Sequence, residues 1–211
     1  MTVMQIFGVA PATMLGQAQL AENLTIVRDA WRDAGKNVNL VSLVSGGVPG
    51  SMAISQEFAD WEAWAAAQAA GMPASVQEAV SKLPPSGGVG QQIVTMAELP
   101  GLETDSSSLP RGLMGVSRIK VQPGKATIAM DMVAKSKEIL TGLGASVRIF
   151  NAVQAMEMGI ISFNNYFESS AAMIDFFNKM QTDAEWQAHW NNPARIGNTE
   201  VVSQSIWTFV D

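Results

Sequence analysis

The sequence predicts an α+β protein built from two tandem repeats of the element order β-α-β-β-α-β. The first observation behind this is an internal repeat. The stretch Gly144 to Trp190 falls without a gap on Gly35 to Ser81, at a constant offset of 109 residues. Apolar residues, turn glycines and helix starts stay in step across the two copies. The second observation is that the central strands are apolar on both faces, which is typical of strands covered on both sides.

The first half begins with a strand at Met4–Ala10 and continues into an amphipathic helix that ends near Ala34. Leu20, Leu24, Val27 and Trp31 recur at helical spacing in this helix, and Gly35 is a natural stop signal after it. The remaining predicted elements are strands at 37–45, 51–58 and 91–97, a helix capped by Asp60, a helix at 74–82 and a loop at 84–90.

The second half repeats this order after a polar, proline-bounded segment at 100–110, which we interpret as a linker. The predicted domains are therefore repeat 1 at 1–99, the linker at 100–110 and repeat 2 at 111–211. The predicted elements are strands at 113–121, 147–154, 160–167 and 200–209, helices at 126–141, after Ser169 and from Thr182 or Asp183 to Trp190, and a loop at 191–198.

Composition excludes several classes of function. The chain has no cysteine and one histidine, so disulfides, thiolate catalysis and zinc–thiolate sites are excluded, and we expect neither a metal nor a cofactor. The net charge of −6 comes without a basic cluster, which argues against nucleic acid as a partner. No apolar run has the length of a membrane helix and no signal peptide opens the chain, so we expect a soluble, cytoplasmic protein. Self-association into a homo-oligomer stays open.

Each half has the ferredoxin-like order, and strands apolar on both faces favour two antiparallel half-sheets packed against each other inside a layer of helices. In this arrangement the chain resembles the dimeric α/β-barrel superfamily, here as a fused tandem or pseudo-dimeric α/β barrel. The second half, with FNNYFES, a helix and then TDAEWQAHW, is similar to the NIPSNAP and EthD-like branches. The superfamily that the chain resembles includes cofactor-independent monooxygenases, lactone isomerases, haem-binding enzymes and members without known activity. The resemblance therefore implies one of these roles and does not choose among them.

The hairpin 147–167 supplies the candidate ligand site. A turn centred on Glu157 and Met158 would place Asn151 opposite Asn164 and gather Asn151, Ser162, Asn164 and Tyr166 on one face. Buried amides and a phenol need hydrogen-bond partners, and a small polar ligand would supply them. A ladder of mutually bonded side chains is the alternative. Arg118 and Arg148, expected on neighbouring strands, are candidates to hold a carboxylate or other anion.

His189 is the one imidazole of the chain and follows Glu185 by four residues. It is a candidate general base oriented by Glu185, or a haem ligand if the haem-binding relatives are the right comparison. The alternative is a surface or aromatic-packed histidine. The candidate catalytic residues are therefore His189 and Tyr166, and the candidate substrate-binding residues are Asn151, Asn164, Tyr166, Arg118 and Arg148.

The first half has fewer amide, phenol, guanidinium and imidazole groups at the positions that correspond to these residues. The residues at their repeat positions are Ser42, Ser55, Glu57, Val9, Asn39 and Val80. We therefore expect any ligand to bind the second half. The leading interpretation is a small-molecule-binding protein acting as a cofactor-independent monooxygenase or isomerase. A non-catalytic structural or interaction protein is the alternative, and whether the chain is an enzyme stays open.

Overall fold

The computed structural model describes residues 1–13, 16–85, 88–154 and 159–210, and within them the predicted element order occurs twice. The first repeat comprises β1 (Val3–Pro11), α1 (Gly16–Asp33), β2 (Val38–Ser45), β3 (Met52–Phe58), α2 (Trp61–Ala70), α3 (Ala74–Ser81) and β4 (Gly88–Glu98). The second comprises β5 (Leu113–Val121), α4 (Ala126–Gly142), β6 (Ser146–Gln154), β7 (Ile160–Phe167), α5 (Ser170–Thr182), α6 (Ala184–Trp190), α7 (Pro193–Asn198) and β8 (Thr199–Val210). The predicted α+β class is confirmed.

The chain divides into two compact units that follow the two repeats closely. The first unit comprises Met1–Ala97 with the short pieces Val153–Ala155 and Thr208–Asp211, and the second comprises Glu98–Ala152 and Met156–Trp207. In the first unit the strand order is β4-β1-β3-β2, with antiparallel pairing. In the second it is β8-β5-β7-β6, with β7 antiparallel to both β5 and β6. Both orders are those of a ferredoxin-like unit.

The 109-residue offset between the repeats is present in the backbone itself. Gly50 and Gly159, which enter β3 and β7, both have left-handed φ angles, of 77° and 76°. Such angles carry no steric penalty for glycine. The second helix of each hairpin starts with a matched N-cap: Asp60 accepts a hydrogen bond from the Ala63 amide at 2.8 Å, and Ser169 accepts one from the Ala172 amide at 3.2 Å. The two central segments are therefore copies of one local structure.

The core of the first unit forms where α1 covers the sheet. Leu20 is buried against β2 and β3, and the predicted helical stripe packs beside it. The members of this cluster are Leu20, Leu24, Val27 and Trp31 from α1 with Val38, Leu40, Met52, Ile54, Val9 and Val210 from strands. Full burial of each aliphatic side chain is worth about 1.5–3 kcal/mol, so this stripe explains why the helix docks where it does.

The second unit has a larger core, and it identifies the sheet face that the helices cover. Val147, Ile149 and Phe163 from the hairpin pack with Val133 of α4 and Phe176 of α5. Side chains alternate across a strand, so their neighbours along β6 and β7 point to the opposite face. We call the surface that the helices of this unit cover the helix face, and the surface that they do not cover the open face, although many residues of the open face are buried.

Two predicted irregular segments are ordered. The predicted loop at 191–198 contains α7, because the Asn192 side chain accepts a hydrogen bond from the Ala194 amide at 2.9 Å and Pro193 fits the first helical position. The predicted linker contains a 3-10 helix at Ser106–Ser108. Its Leu102 packs against the core of the second unit.

The predicted loop at 84–90 ends earlier than expected, because β4 begins at Gly88. Ser86 and Gly87 of that loop lie outside the described residues, as do Glu157 and Met158 of the predicted hairpin turn. In the described ranges, no helix combines the length and the apolar character needed to cross a membrane.

Candidate functional site

The pairing of β6 with β7 differs from the predicted register by three residues. Arg148, not Asn151, lies opposite Asn164, and Asn151 lies opposite Ile161. A shift by an odd number of residues exchanges the two faces of a strand. The exchange brings Ile149 beside Phe163 on the helix face, where both are buried. The predicted cluster of Asn151 with Asn164 is therefore wrong, and Asn151 is an exposed residue on the helix face.

The open face of the second unit nevertheless gathers most of the predicted ligand-binding residues. Tyr166, Asn164 and Ser162 alternate along β7, and all three are buried. In the observed registers the flanking strands contribute Met114, Val116 and Arg118 from β5 and Ser146, Arg148 and Phe150 from β6. Four of the five predicted substrate-binding residues thus share this face, while Asn151 does not.

Ser162 and Asn164 form a bonded pair in the middle of this face. The Ser162 hydroxyl donates to the Asn164 side-chain oxygen at 2.8 Å. Since this bond engages the acceptor of the amide, the Asn164 NH₂ group is left with two donor hydrogens. Among the described residues it donates to no acceptor, although Asn164 is only 2% exposed.

Arg148 is engaged by a carboxylate from its own unit. Its Nε lies 3.2 Å from Glu98 Oε1 and its Nη2 lies 3.3 Å from Glu98 Oε2, a two-point contact with 0% and 1% side-chain exposure. The guanidinium also lies 4.8 Å from the centroid of the Phe150 ring. A buried guanidinium needs such a counter-charge, because an isolated buried charge is very costly.

The predicted linker holds Glu98 in place. The Thr104 amide donates to Glu98 Oε1 at 3.0 Å, and the Thr104 hydroxyl donates to the Val147 carbonyl at 2.8 Å. Lys137 of α4 donates to the Thr104 hydroxyl oxygen at 2.7 Å and also to the Leu102 carbonyl. Burial lowers the pKa of Lys137, and the nearby Glu98 and Glu103 carboxylates partly oppose that effect. The segment 98–104 is therefore fastened to β6 and α4.

Arg118 differs from Arg148 in having no counter-charge. Within the described part of the chain it makes no ion pair and no hydrogen bond. It lies directly opposite Ser162, and burial lowers its pKa from the ordinary arginine value. The two arginines were predicted on neighbouring strands, but β7 runs between β5 and β6. Of the two arginines on this face, Arg118 is therefore the one available for an outside partner.

His189 lies in the helix layer, away from the open face. Its Nε2 is 2.8 Å from the Ser136 hydroxyl of α4, and its ring is beside Trp186 at 6.0 Å between centroids. Desolvation by burial is the main cause that lowers its pKa, followed by the positive charges of Arg195 and Lys135. The predicted orienting carboxylate, Glu185, instead contacts Lys135 at 2.6 Å. The structure does not bring His189 and Tyr166 together.

Sequence reasoning missed Glu98 and the contacts made by Thr104 and Lys137. A signal for Glu98 exists, since it is the one acidic residue at the end of an apolar strand, in the run IVTMAEL. A charge in such a run indicates a buried partner of opposite sign. Its partner Arg148 is 50 residues away, which is why no local pattern joins them.

The fold of the chain is shared by several solved structures. A Fusobacterium nucleatum protein provisionally named a monooxygenase matches with a TM-score of 0.64, 4% identity, and coverage of 100% of this chain and 93% of its own. A Lactobacillus acidophilus protein with the same provisional name gives 0.61, 13% identity, and coverage of 99% and 93%. An anthrone oxidase-like protein gives 0.60, 14% identity, and coverage of 100% and 92%.

No family model and no curated protein matches the sequence. Identities this low establish a shared fold and no shared activity. The chain is thus an α+β protein of two ferredoxin-like repeats, with the fold found in proteins named as monooxygenase-like.

Proposed function

We propose that the protein binds a small organic molecule on the open face of its second unit and acts on it as a cofactor-independent monooxygenase or isomerase. The observation that carries this proposal is the row of Ser162, Asn164 and Tyr166, buried on that face beside Arg118, which has no counter-charge among the described residues. A buried amide with spare donors, as Asn164 has among the described residues, is costly in a protein whose only task is to fold. A bound ligand that accepts those hydrogen bonds offsets the cost.

The names of three structural neighbours are compatible with the oxygenase in this proposal. Two of them are provisionally named monooxygenases and a third is named anthrone oxidase-like. An anthrone is a polycyclic aromatic ketone, so that name is consistent with an apolar substrate bearing oxygen atoms. We further propose the NIPSNAP and EthD-like branches as the relatives of the second repeat, on the basis of the segment from Asp183 to Trp186.

The residues of the open face suit the handling of an oxygen-bearing substrate. The Asn164 NH₂ group can donate to a carbonyl or enolate oxygen, and such donors stabilise negative charge that develops during a reaction. The Tyr166 phenol can donate a hydrogen bond or pass a proton once a substrate is bound beside it. Tyr166 is therefore the candidate catalytic residue of this site.

His189 is assigned a structural role in this proposal. Its imidazole is bonded to Ser136 in the helix layer, and the helices cover the face opposite to Tyr166. His189 could act as a general base on a substrate at the open face only if its imidazole contacted that substrate from the opposite side of the sheet. The same placement gives no support to His189 as a haem ligand.

Native mass spectrometry of the protein as purified tests the proposal, with a retained small molecule as the expected result. Asn164→Ala and Tyr166→Phe should weaken binding of that molecule by about 1–3 kcal/mol each, the cost of a lost buried hydrogen bond. Ser55→Ala is the matched control, because Ser55 occupies the place of Asn164 in the first repeat and should leave binding unchanged. Binding that responds to Ser55→Ala and ignores both open-face variants contradicts the proposal.

A further inference from the structure

The two arginines of the open face have different roles, and the difference defines the charge of the ligand. Both guanidinium groups belong to the same sheet face, on either side of β7. The Glu98 carboxylate compensates the charge of Arg148 through two contacts inside the protein. Arg118 has no such compensation among the described residues. Of the two arginines, Arg118 is therefore the one whose charge stays uncompensated by the described residues.

Arg118 and the Asn164 amide supply hydrogen-bond donors that no acceptor among the described residues engages. Arg118 carries five N–H donors and no acceptor. Its direct cross-strand neighbour is Ser162, whose hydroxyl hydrogen is used on Asn164 Oδ1, and this leaves the Asn164 NH₂ group as a second donor. Directly opposite side chains are about 5 Å apart at Cβ and diagonal ones about 7–8 Å, so one ligand group can reach both Arg118 and Asn164.

Three of the neighbouring side chains on this face are apolar. Val116 pairs with Asn164, Met114 pairs with Tyr166, and Phe150 is fully buried opposite Ser162. A ligand for such a surface needs an apolar body and an acceptor at one end. A fully hydrated polyanion such as a nucleotide does not fit this description, since among the described residues Arg118 is the one arginine of the face without a counter-charge.

We infer that the ligand of the open face is a monoanion with an apolar, aromatic body, whose oxyanion binds to Arg118 and Asn164. A carboxylate, an enolate and a phenolate share the chemistry that these donors recognise. This inference rests on the proposed function, because it names the class of ligand for the same site. Arg148 is then a positioning residue, held by Glu98 beneath the ligand.

The experiment compares two ligands of the same shape and different charge. Isothermal titration of the full chain with 2-naphthoate and with the neutral 2-naphthamide should show the acid binding about ten-fold tighter or more, as expected for one charged hydrogen bond. Arg118→Gln should abolish that preference while leaving the affinity for the amide within about two-fold. Arg111→Gln, which alters an exposed arginine just before β5, is the matched control and should preserve the preference.

A second measurement avoids any variant. Phenylglyoxal modifies accessible arginines, and peptide mass spectrometry reports the modification residue by residue. We expect 2-naphthoate to protect Arg118 in the unaltered protein and 2-naphthamide to protect it far less, while Arg111 reacts equally in both.

The outcomes separate this inference from the proposed function. Equal affinity for acid and amide, or a preference for the acid that persists in Arg118→Gln, overturns the inference about charge and leaves small-molecule binding in place. Binding of neither compound, with no protection of Arg118, overturns both. Protection of Arg118 by the acid together with loss of preference in Arg118→Gln supports both.

Discussion

At the scale of single residues, the buried ion pair of Glu98 and Arg148 is the contact of the open face whose disruption we expect to affect stability most. Two opposite charges inside a protein lose much of their mutual attraction to desolvation, so the intact pair contributes little net stability. Removing one member has a much larger effect because the other charge stays buried.

Glu98→Gln should therefore lower the free energy of unfolding by about 3–5 kcal/mol, which urea denaturation measures. Asp175→Asn, which disrupts the exposed contact of Asp175 with Lys179 at 2.6 Å, is the control and should cost less than about 1 kcal/mol. The double variant Glu98→Met with Arg148→Met should recover much of the loss. A Glu98→Gln protein as stable as the unaltered one would show that the Glu98 carboxylate does not compensate the charge of Arg148.

His189 predicts a pH dependence whose sign follows from its lowered pKa. Burial and the nearby Arg195 and Lys135 charges disfavour the imidazolium in the folded protein, so its folded pKa is below the ordinary value of 6.5. The unfolded chain then binds the proton more readily. Stability from His189 is fully present above pH 6.5 and decreases as the pH falls from there through the folded pKa.

Thermal melts between pH 5 and pH 8 check this expectation, because most carboxylates stay ionised in that range. The unaltered protein should melt at a lower temperature toward pH 5, and His189→Gln should flatten that part of the profile. An equally steep decline in His189→Gln would assign the effect to other groups.

At the scale of elements, the sequence predicts which strands and helices form but not how neighbouring strands align. Each half repeats its apolar pattern and its turn glycines, and these are local signals. The register of β6 on β7 was predicted from a turn centred on Glu157 and Met158, and the sequence at 155–158 contains no dipeptide that selects a tight hairpin turn. Because the predicted register was wrong by three residues, Asn151 was predicted on the wrong face. Ser162, Asn164 and Tyr166 were correctly predicted to share a face because they alternate along one strand.

The predicted linker shows that composition does not reveal whether a polar segment packs against the rest of the protein. Residues 100–110 are polar and without periodicity, which is typical of a flexible connection, yet Leu102 and Thr104 pack against the second unit. The contacts that order this segment come from Lys137 and Val147, more than thirty residues away. A short stretch of sequence in which a local pattern can be recognised does not contain both this segment and its partners, Lys137 and Val147.

Gly112 gives an element-scale prediction at the entry to β5. Its amide donates to the Phe167 carbonyl at 3.1 Å, and a Cβ atom there would lie 2.1 Å from the Glu168 carbonyl oxygen. Gly112→Ala should force β5 away from the end of β7 and cost about 1–3 kcal/mol of stability or more.

The matched control for Gly112→Ala is Gly142→Ala, in the last turn of α4. An added Cβ at Gly142 meets no atom within 4 Å. That change should be neutral or stabilising by up to about 1 kcal/mol, since alanine is the better helix former. Equal melting temperatures for the two variants would argue against the close approach at Gly112.

At the scale of the whole molecule, the two repeats share a backbone and differ in chemistry. Asn39, Ala53, Ser55 and Glu57 occupy the places of Arg148, Ser162, Asn164 and Tyr166. The counterpart of Arg118 is Gly8, which pairs with Ala53 as Arg118 pairs with Ser162, rather than Val9 as a constant offset predicts. Folding requires the apolar helix face of each repeat, so the other face is free to acquire a site in one copy.

The fastening of residues 98–104 to β6 and α4 determines where the molecule can be divided. Composition alone would set the start of a separately expressed second repeat at Arg111, after the polar segment. A fragment cut there would discard Glu98 and Thr104 and leave the Arg148 guanidinium inside the fragment without that carboxylate. A fragment boundary between Ala97 and Glu98 keeps the counter-charge with the arginine it serves, and it coincides with the division between the two compact units.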